Sequence, residues 1–163
     1  MSNDGLRGTL AGIGRRVACA VAVVAALLAT GGRAFAQQGP GVQVGVSAQP
    51  DQFYVGANYL TAPIVDQIRF RPNLEVGVGD SATLLAGNFE FVYPVALPRT
   101  PWHLYVGGGP ALDILRRNGN TSSGGGFNVV LGLAHRRGLF TEIKVGLLDS
   151  PSFKFGIGYT FNR

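Results

Sequence analysis

The stretch from Ser152 to Phe161 constrains the fold of this chain more than any other. In an extended strand successive side chains point to opposite faces. One face carries Phe153, Phe155, Ile157, Tyr159 and Phe161, and the other carries Lys154, Gly156, Gly158 and Thr160. Its ten residues match the ~9–11 residues with which a tilted strand crosses a bilayer. The pattern is typical of a strand with lipid on one side and a narrow polar interior on the other.

The N-terminus has the features of a targeting segment rather than of a folded domain. A positively charged start precedes an apolar run from Val17 to Thr30, which is followed by Ala34-Phe35-Ala36 and then Gln37. The run of 14 residues is shorter than the ~20 that a membrane-spanning helix needs. These features predict a secretory signal peptide, residues 1–36, cleaved between Ala36 and Gln37. The mature domain is then 37–163.

Loss of the signal peptide removes most of the excess positive charge. The chain has 14 Lys and Arg against 9 Asp and Glu, and four Arg and Asp4 precede Gln37, so the mature domain keeps ten basic and eight acidic residues, a net charge of +2. This balance gives no reason to expect nucleic acid as a partner. Because the only cysteine, Cys19, lies in the signal, the mature domain can form neither a disulfide nor a Cys-based metal site. No cofactor is predicted.

Seven further segments repeat the alternation of the last strand. They span 42–48, 52–60, 68–78, 81–95, 102–112, 127–135 and 139–147. An even number of alternating segments, with turn residues between them, predicts an all-β fold: an eight-stranded antiparallel up-and-down transmembrane β-barrel. Pro72 is expected to mark a bulge, since proline cannot donate to a ladder. The polar stretch from Arg116 to Gly125 is expected to be a loop.

Three hairpins can be paired so that apolar residues lie opposite apolar residues. A one-residue slip would exchange the two faces, so these pairings test whether the alternating faces agree between neighbouring segments. The predicted pairs include Phe70 with Phe89, Val129 with Val145, and Ile143 with Ile157. The register that pairs Phe70 with Phe89 also places Arg69 opposite Glu90, on the polar face of the same two strands.

The volume of the barrel interior predicts which face points outward. An eight-stranded barrel is just filled by side chains, or holds one small ligand, so about thirty large apolar residues would overfill it. With the apolar faces outward, the interior receives glycines and a set of charges. These charges are predicted to form a polar network of Arg69, Arg71, Glu75, Glu90, Glu142, Lys144 and Lys154. Buried charges must be paired, because an isolated one is costly. We therefore expect a closed lumen.

With these features, the chain resembles the small outer-membrane β-barrel proteins of the OmpA/OmpX type over 42–161. The resemblance rests on the signal peptide, the strand count and the closing sequence Gly156-Ile-Gly-Tyr-Thr-Phe161, although two residues follow that Phe. It implies a Gram-negative outer-membrane location, periplasmic termini and insertion by the barrel-assembly machinery. Contact with outer-membrane lipid and lipopolysaccharide is implied as well. A monomer with a structural or interaction role, and no catalysis, is expected.

Two alternatives keep the same strands and change the function. A secreted soluble barrel of the lipocalin type would bind a small apolar ligand, with the apolar faces inside. A lipid-A-modifying enzyme, similar to a deacylase, would need a serine, a histidine and an acid within reach. The deacylase family that this alternative would resemble carries a His-x-Ser motif. In this chain neither His103 nor His135 is followed by that serine.

Polar and aromatic residues are predicted at the two rims of the barrel. Arg116 and Arg117 are expected at the outer rim, where they either bind lipopolysaccharide phosphates by charge-assisted hydrogen bonds or belong to a solvated loop. An aromatic girdle at the membrane interface is expected to include Tyr93, Trp102, Tyr159 and Phe161.

Overall fold

Nine antiparallel β-strands account for most of the residues that the structure describes. The structure is a computed structural model, and it describes residues 38–49, 51–79, 82–148 and 150–161. The strands are β1 (Gly39–Ala48), β2 (Gln52–Leu60), β3 (Pro63–Val65), β4 (Ile68–Gly79), β5 (Ala82–Ala96), β6 (Trp102–Arg117), β7 (Asn120–His135), β8 (Leu139–Leu148) and β9 (Phe153–Thr160). The predicted signal peptide and its cleavage site at Ala36 and Gln37 lie outside the described residues and stay a prediction.

Eight of the nine strands form a closed ring. Strand β1 pairs with β2, and β4 to β8 each pair with the next strand in the chain, while β2 pairs with β4 and β9 pairs with β1 to complete the circle. Strand β3 has three residues and pairs with β4 beyond the end of β2. The predicted closed, eight-stranded antiparallel barrel is therefore confirmed. We call the end where β1 starts and β9 finishes the terminal end, and the opposite end the hairpin end.

The two faces of the wall are divided as the alternation predicts. Among the described residues, thirty large apolar side chains are exposed, and they lie mainly on the outer face. On β9, Phe153, Phe155, Ile157, Tyr159 and Phe161 beyond its end are each between 42% and 50% exposed. The inner face holds buried polar, charged and small residues instead. The alternative with apolar faces inside the barrel is thus wrong.

The strand registers agree with one of the three predicted hairpins and differ in the other two. Val129 pairs with Val145 as expected. Phe70 pairs with Phe91 rather than Phe89, and Ile143 pairs with Phe155 rather than Ile157. Both errors are shifts of two residues, which leave every side chain on its predicted face. As a result Arg71, and not Arg69, lies opposite Glu90.

Pro72 does not mark a bulge. The register between β4 and β5 runs without a shift through the pair of Pro72 and Phe89. On the other side of β4, the ladder with β2 ends at the pair of Asn58 and Asn73, so it stops at the residue next to the proline. The missing donor is thus placed at the end of a ladder, where it costs least.

The polar stretch between Arg116 and Gly125 is a hairpin, and the predicted loop there is wrong. Strand β6 continues to Arg117, which pairs with Asn120 at the start of β7. The two residues between them, Asn118 and Gly119, have φ values of 50° and 81°. Positive φ at both central residues is the signature of a type I′ turn, and Asn-Gly is its preferred sequence. The hairpin extends beyond β8, whose ladder with β7 begins only at Gly126.

Candidate functional site

Six charged side chains meet in the middle of the barrel. Strand β4 provides Arg71 and Glu75, β5 provides Glu90, β8 provides Glu142 and Lys144, and β9 provides Lys154. None is more than 4% exposed. These six residues, which we call the ionic cluster, carry three positive and three negative formal charges. The cluster is therefore neutral as a whole, which is what burial of charge requires.

Lys144 is the centre of the ionic cluster. Its Nζ lies 2.9 Å from a carboxylate oxygen of Glu75, 2.7 Å from one of Glu90 and 3.3 Å from one of Glu142. An ammonium group has three protons to donate. One carboxylate from each of three strands therefore surrounds one ammonium group.

Arg71 joins two of the same carboxylates from the other side. Its Nε donates to Glu90 at 2.9 Å, and its Nη2 lies 2.8 Å from Glu142. Glu142 also accepts a hydrogen bond of 2.7 Å from the hydroxyl of Tyr105, whose ring centre is 5.2 Å from the guanidinium carbon of Arg71. The planar guanidinium is suited to holding two acceptors in fixed directions. Arg71 and Tyr105 thus fix the position of Glu142.

Glu75 accepts hydrogen bonds from four side chains. It accepts hydrogen bonds from Lys144 at 2.9 Å and from Lys154 at 2.7 Å. Two amides add to these, from Gln43 at 2.9 Å and from Asn73 at 2.8 Å. Lys154 lies on the strand that closes the barrel, so its bond to Glu75 crosses the lumen between strands that are far apart in the chain.

Glycines on the inner face make room for the aromatic side chains around the cluster. A Cβ atom added to Gly45 would lie 2.6 Å from the Tyr54 hydroxyl, and one added to Gly156 would lie 2.5 Å from it. A Cβ atom on Gly132 would overlap the ring of Tyr105. These approaches are closer than any side chain tolerates, so the cluster depends on the small residues opposite it.

Different side chains fill the interior above and below the cluster. Toward the hairpin end, Asn128 donates to Asn88 at 2.7 Å, and Ser150 donates to Asp113 at 3.2 Å. Ser150 and Pro151 are both buried, which shows that the connection between β8 and β9 turns into the barrel mouth. Toward the terminal end, apolar side chains follow: Val92, Tyr105, Val130, Ala134 and Phe140, with Leu60 against them. A cavity of about 30 Å³ remains there, enough for about two water molecules.

The structure brings together six of the seven residues of the predicted polar network. The seventh, Arg69, is buried on β4, two residues nearer the terminal end than Arg71. Sequence reasoning did not include Tyr105, Gln43 or Asn73 as cluster partners. Their position on the inner face follows from the alternation, and a count of hydrogen-bond donors for the buried carboxylates would have identified them.

The residues predicted at the rims lie at the two ends of the barrel. Arg116 and Arg117 are exposed at the hairpin end, on strand β6 rather than in a loop, and as neighbours they point to opposite faces. The aromatic residues Tyr93, Trp102, Tyr159 and Phe161 all lie at the terminal end. The Trp102 ring lies 4.7 Å from that of His135. The other histidine, His103, is buried inside the barrel.

Within the described ranges, no group of three or more histidine, cysteine or acidic side chains is arranged to hold a metal ion. In the same part of the chain, no helix is long and apolar enough to cross a membrane.

Comparison with known proteins gives a likeness of fold. No family model matches the chain, and no curated protein matches it. Among solved structures, the N-terminal β-barrel domain of Pseudomonas aeruginosa OprF is similar, with 13% identity and a TM-score of 0.53 over 77% of this chain and 100% of that domain. Neisserial surface protein A (NspA) aligns with 13% identity and a TM-score of 0.47 over 77% of this chain and 95% of its own. The likeness to the OprF domain shows that this chain has the fold of a small outer-membrane-type barrel.

Proposed function

We propose that this protein is an integral protein of the Gram-negative outer membrane, with a structural or interaction role and no catalytic activity. It is exported by a signal peptide cleaved between Ala36 and Gln37, and its termini face the periplasm. The observation that carries the proposal is the distribution of charge around the barrel wall.

Every charged residue that the structure describes is either buried in the interior or placed at one end of the barrel. The exposed ones lie in turns or at strand ends: Asp51, Asp66, Arg99, Arg116, Arg117, Arg136 and Arg137. Between the two ends, the outer face presents most of the thirty exposed apolar side chains. In water so large an apolar surface leads to association, whereas hydrocarbon requires an apolar and uncharged wall. A lipid bilayer is the environment that this surface fits.

The filled interior supports a role other than transport of solutes. The ionic cluster crosses the lumen, with the apolar layer on one side and the inward-turned Ser150 and Pro151 on the other. An eight-stranded barrel has room for such side chains but not for a water-filled channel as well. The positions of the two histidines also favour a role without catalysis, because His103 is buried within the barrel and His135 packs on Trp102.

Outer-membrane lipid and lipopolysaccharide are the partners we propose for the wall and the hairpin end. Arg116 continues the outer face above the apolar side chains of Leu112 and Ile114 on the same strand. A phosphate group of lipopolysaccharide lies at this level, and a guanidinium can bind it with two parallel hydrogen bonds. Replacing both Arg116 and Arg117 with glutamine should reduce the lipopolysaccharide that purifies with the protein. An unchanged amount would overturn this part of the proposal.

Fractionation with a heat-modifiability gel tests the location. We expect a species in the outer-membrane fraction that resists SDS and migrates faster before boiling than after it. Mass spectrometry should give a mature chain that begins at Gln37, and the purified protein should not conduct ions in planar bilayers. A soluble periplasmic protein would refute the proposed location, and a steady open conductance would refute the closed lumen.

A further inference from the structure

Within the part of the chain that the structure describes, one side of strand β7 has no partner strand near the hairpin end. The ladder between β6 and β7 extends to the pair of Arg117 and Asn120. The ladder between β7 and β8 begins at the pair of Gly126 and Leu148. Among the described residues, the segment 120–125 is thus paired to β6 alone. We call this segment the free edge.

The free edge directs backbone donors and acceptors to the side of β7 that lies opposite β6. The amide of Arg136, just after β7, donates to the carbonyl of Pro101 beside β6, so even-numbered residues in this ladder point their backbone groups toward β6. Odd-numbered residues point theirs the other way, because the direction alternates along a strand. Thr121, Ser123 and Gly125 therefore present their N–H and C=O groups on the free side.

The free edge lacks the devices with which proteins usually protect such a strand. Exposed edges are commonly blocked by proline, by a charged side chain or by a bulge. The sequence Asn-Thr-Ser-Ser-Gly-Gly contains neither proline nor charge, and the ladder with β6 has no register shift. A Cβ atom added to Gly125 would meet nothing within 4 Å, so no other described residue covers the outer face of the strand at this position.

A cleft adjoins the free edge on the inner side of the hairpin. Its volume is about 310 Å³, at the lower end of the range for ligand pockets, and Ser122, Ser123 and Gly124 form one wall. Apolar surface comes from Leu84, Leu115 and Pro151, and Asp113 also lines it. A strand added to the free edge would point every second side chain toward this cleft. The cleft is large enough for one bulky apolar side chain.

The charge near the free edge favours an acidic partner. Arg117 lies beside Asn120, on the inner face of β6, and Arg116 lies beside Thr121 on the outer face. Both are exposed. The side chains of 120–125 are short, so either arginine can extend across β7 to a carboxylate on the next strand.

We propose that the free edge binds an extended, acidic polypeptide segment by strand addition, with an apolar side chain of that segment in the cleft. The inference rests on the proposed membrane location, which places the hairpin outside the bilayer. Recognition by an exposed edge uses backbone hydrogen bonds for affinity and side-chain pockets for specificity.

A second copy of this chain fits the free edge less well. Antiparallel pairing of two free edges would leave the arginines of both copies without acidic residues from the partner's segment 120–125. The segment 120–125 of the second copy has only short side chains, so it would also leave the cleft of the first copy empty. An acidic segment with alternating apolar residues satisfies both features.

Binding of synthetic peptides to the refolded barrel in detergent tests the proposal. The probe is a short fluorescent peptide that alternates valine and glutamate, and its control alternates valine and lysine. Fluorescence anisotropy should show binding of the first peptide and at least about tenfold weaker binding of the second. No binding of the first peptide at millimolar concentration would overturn the proposal.

Substitutions at the free edge locate the binding. Ser123→Pro removes a donor on the free side and leaves the ladder with β6 intact, so it should weaken binding about tenfold. Ser123→Thr keeps the donor and should bind as the unsubstituted chain does, while Arg117→Glu should weaken binding. Unchanged heat-modifiability of each variant shows that the barrel is folded. Equal binding by the proline variant would refute strand addition, and dimers sensitive to Ser123→Pro would show a second copy as the occupant. This assay is done in detergent, so its failure is distinct from failure of the membrane location.

Discussion

Replacing Glu90 with glutamine tests whether the neutral ionic cluster stabilises the barrel. Glu90 is fully buried, it accepts a hydrogen bond of 2.9 Å from Arg71, and it lies 2.7 Å from the ammonium of Lys144. Glutamine has nearly the same size but no charge. The variant would keep three buried cations against the two carboxylates of Glu75 and Glu142.

The expected loss follows from the cost of an uncompensated buried charge. Removing one partner of a buried ion pair typically costs ~3–5 kcal/mol. The glutamine oxygen still accepts from Arg71, so we expect about 3 kcal/mol for Glu90→Gln. Adding Lys144→Met restores neutrality, with two cations and two carboxylates. The double variant should therefore lose less than the sum of the two single variants, by ~1–3 kcal/mol.

Equilibrium unfolding in urea, in detergent micelles, measures these losses. Trp102 is the only tryptophan in the chain, and its position at the terminal end makes its fluorescence a probe of the folded barrel. Asp66→Asn, in an exposed turn, is the matched control and should change the free energy of unfolding by less than ~0.5 kcal/mol. The reasoning is refuted if Glu90→Gln costs less than ~1 kcal/mol, or if the losses of the two single variants simply add.

Three further substitutions test the interior and the hairpin in the same unfolding assay. Gly132→Ala places a methyl group against the Tyr105 ring and should cost ~1–3 kcal/mol, whereas Gly125→Ala enters open space and should be nearly neutral; similar losses for both would contradict the packing described. Tyr105→Phe removes the hydroxyl that donates to Glu142 and should cost ~1–3 kcal/mol, and an unchanged stability would show that this bond contributes nothing. Gly119→Val forces a β-branched residue into a φ of 81° and should cost more than ~1 kcal/mol; full stability would argue against the type I′ turn.

The alternation of residue types predicted the barrel and the contents of its two faces, because it depends only on the period of an extended strand. It could not determine register to better than two residues. Moving a two-residue turn by one position shifts every pair by two and leaves all side chains on the same face. The predicted pair of Arg69 and Glu90 and the observed pair of Arg71 and Glu90 are therefore equivalent as patterns. The contacts in the barrel interior decide between these two registers, and a local sequence pattern contains no information about those contacts.

The Asn118-Gly119 turn shows a different limit. Asn-Gly is a strong hairpin signal, but it lies within a run of polar residues that resembles a loop in composition. The exposed apolar residues of the outer face end at Ile114 on β6 and begin again at Phe127 on β7. The alternation on which the strand prediction depended is therefore absent between these two residues. Turn chemistry predicts this hairpin, whereas hydrophobic patterning does not.

The neutral cluster also has a consequence for how such a barrel reaches its final state. Its six charges come from β4, β5, β8 and β9, and the bond between Glu75 and Lys154 joins the fourth strand to the last. In a bilayer, a sheet that has not closed would expose these charges to hydrocarbon, at a cost of several kcal/mol for each ion. Partly closed forms are thus disfavoured, and closure and neutralisation become a single cooperative event. In the membrane location proposed above, the charges that stabilise the closed barrel therefore also disfavour a half-assembled one.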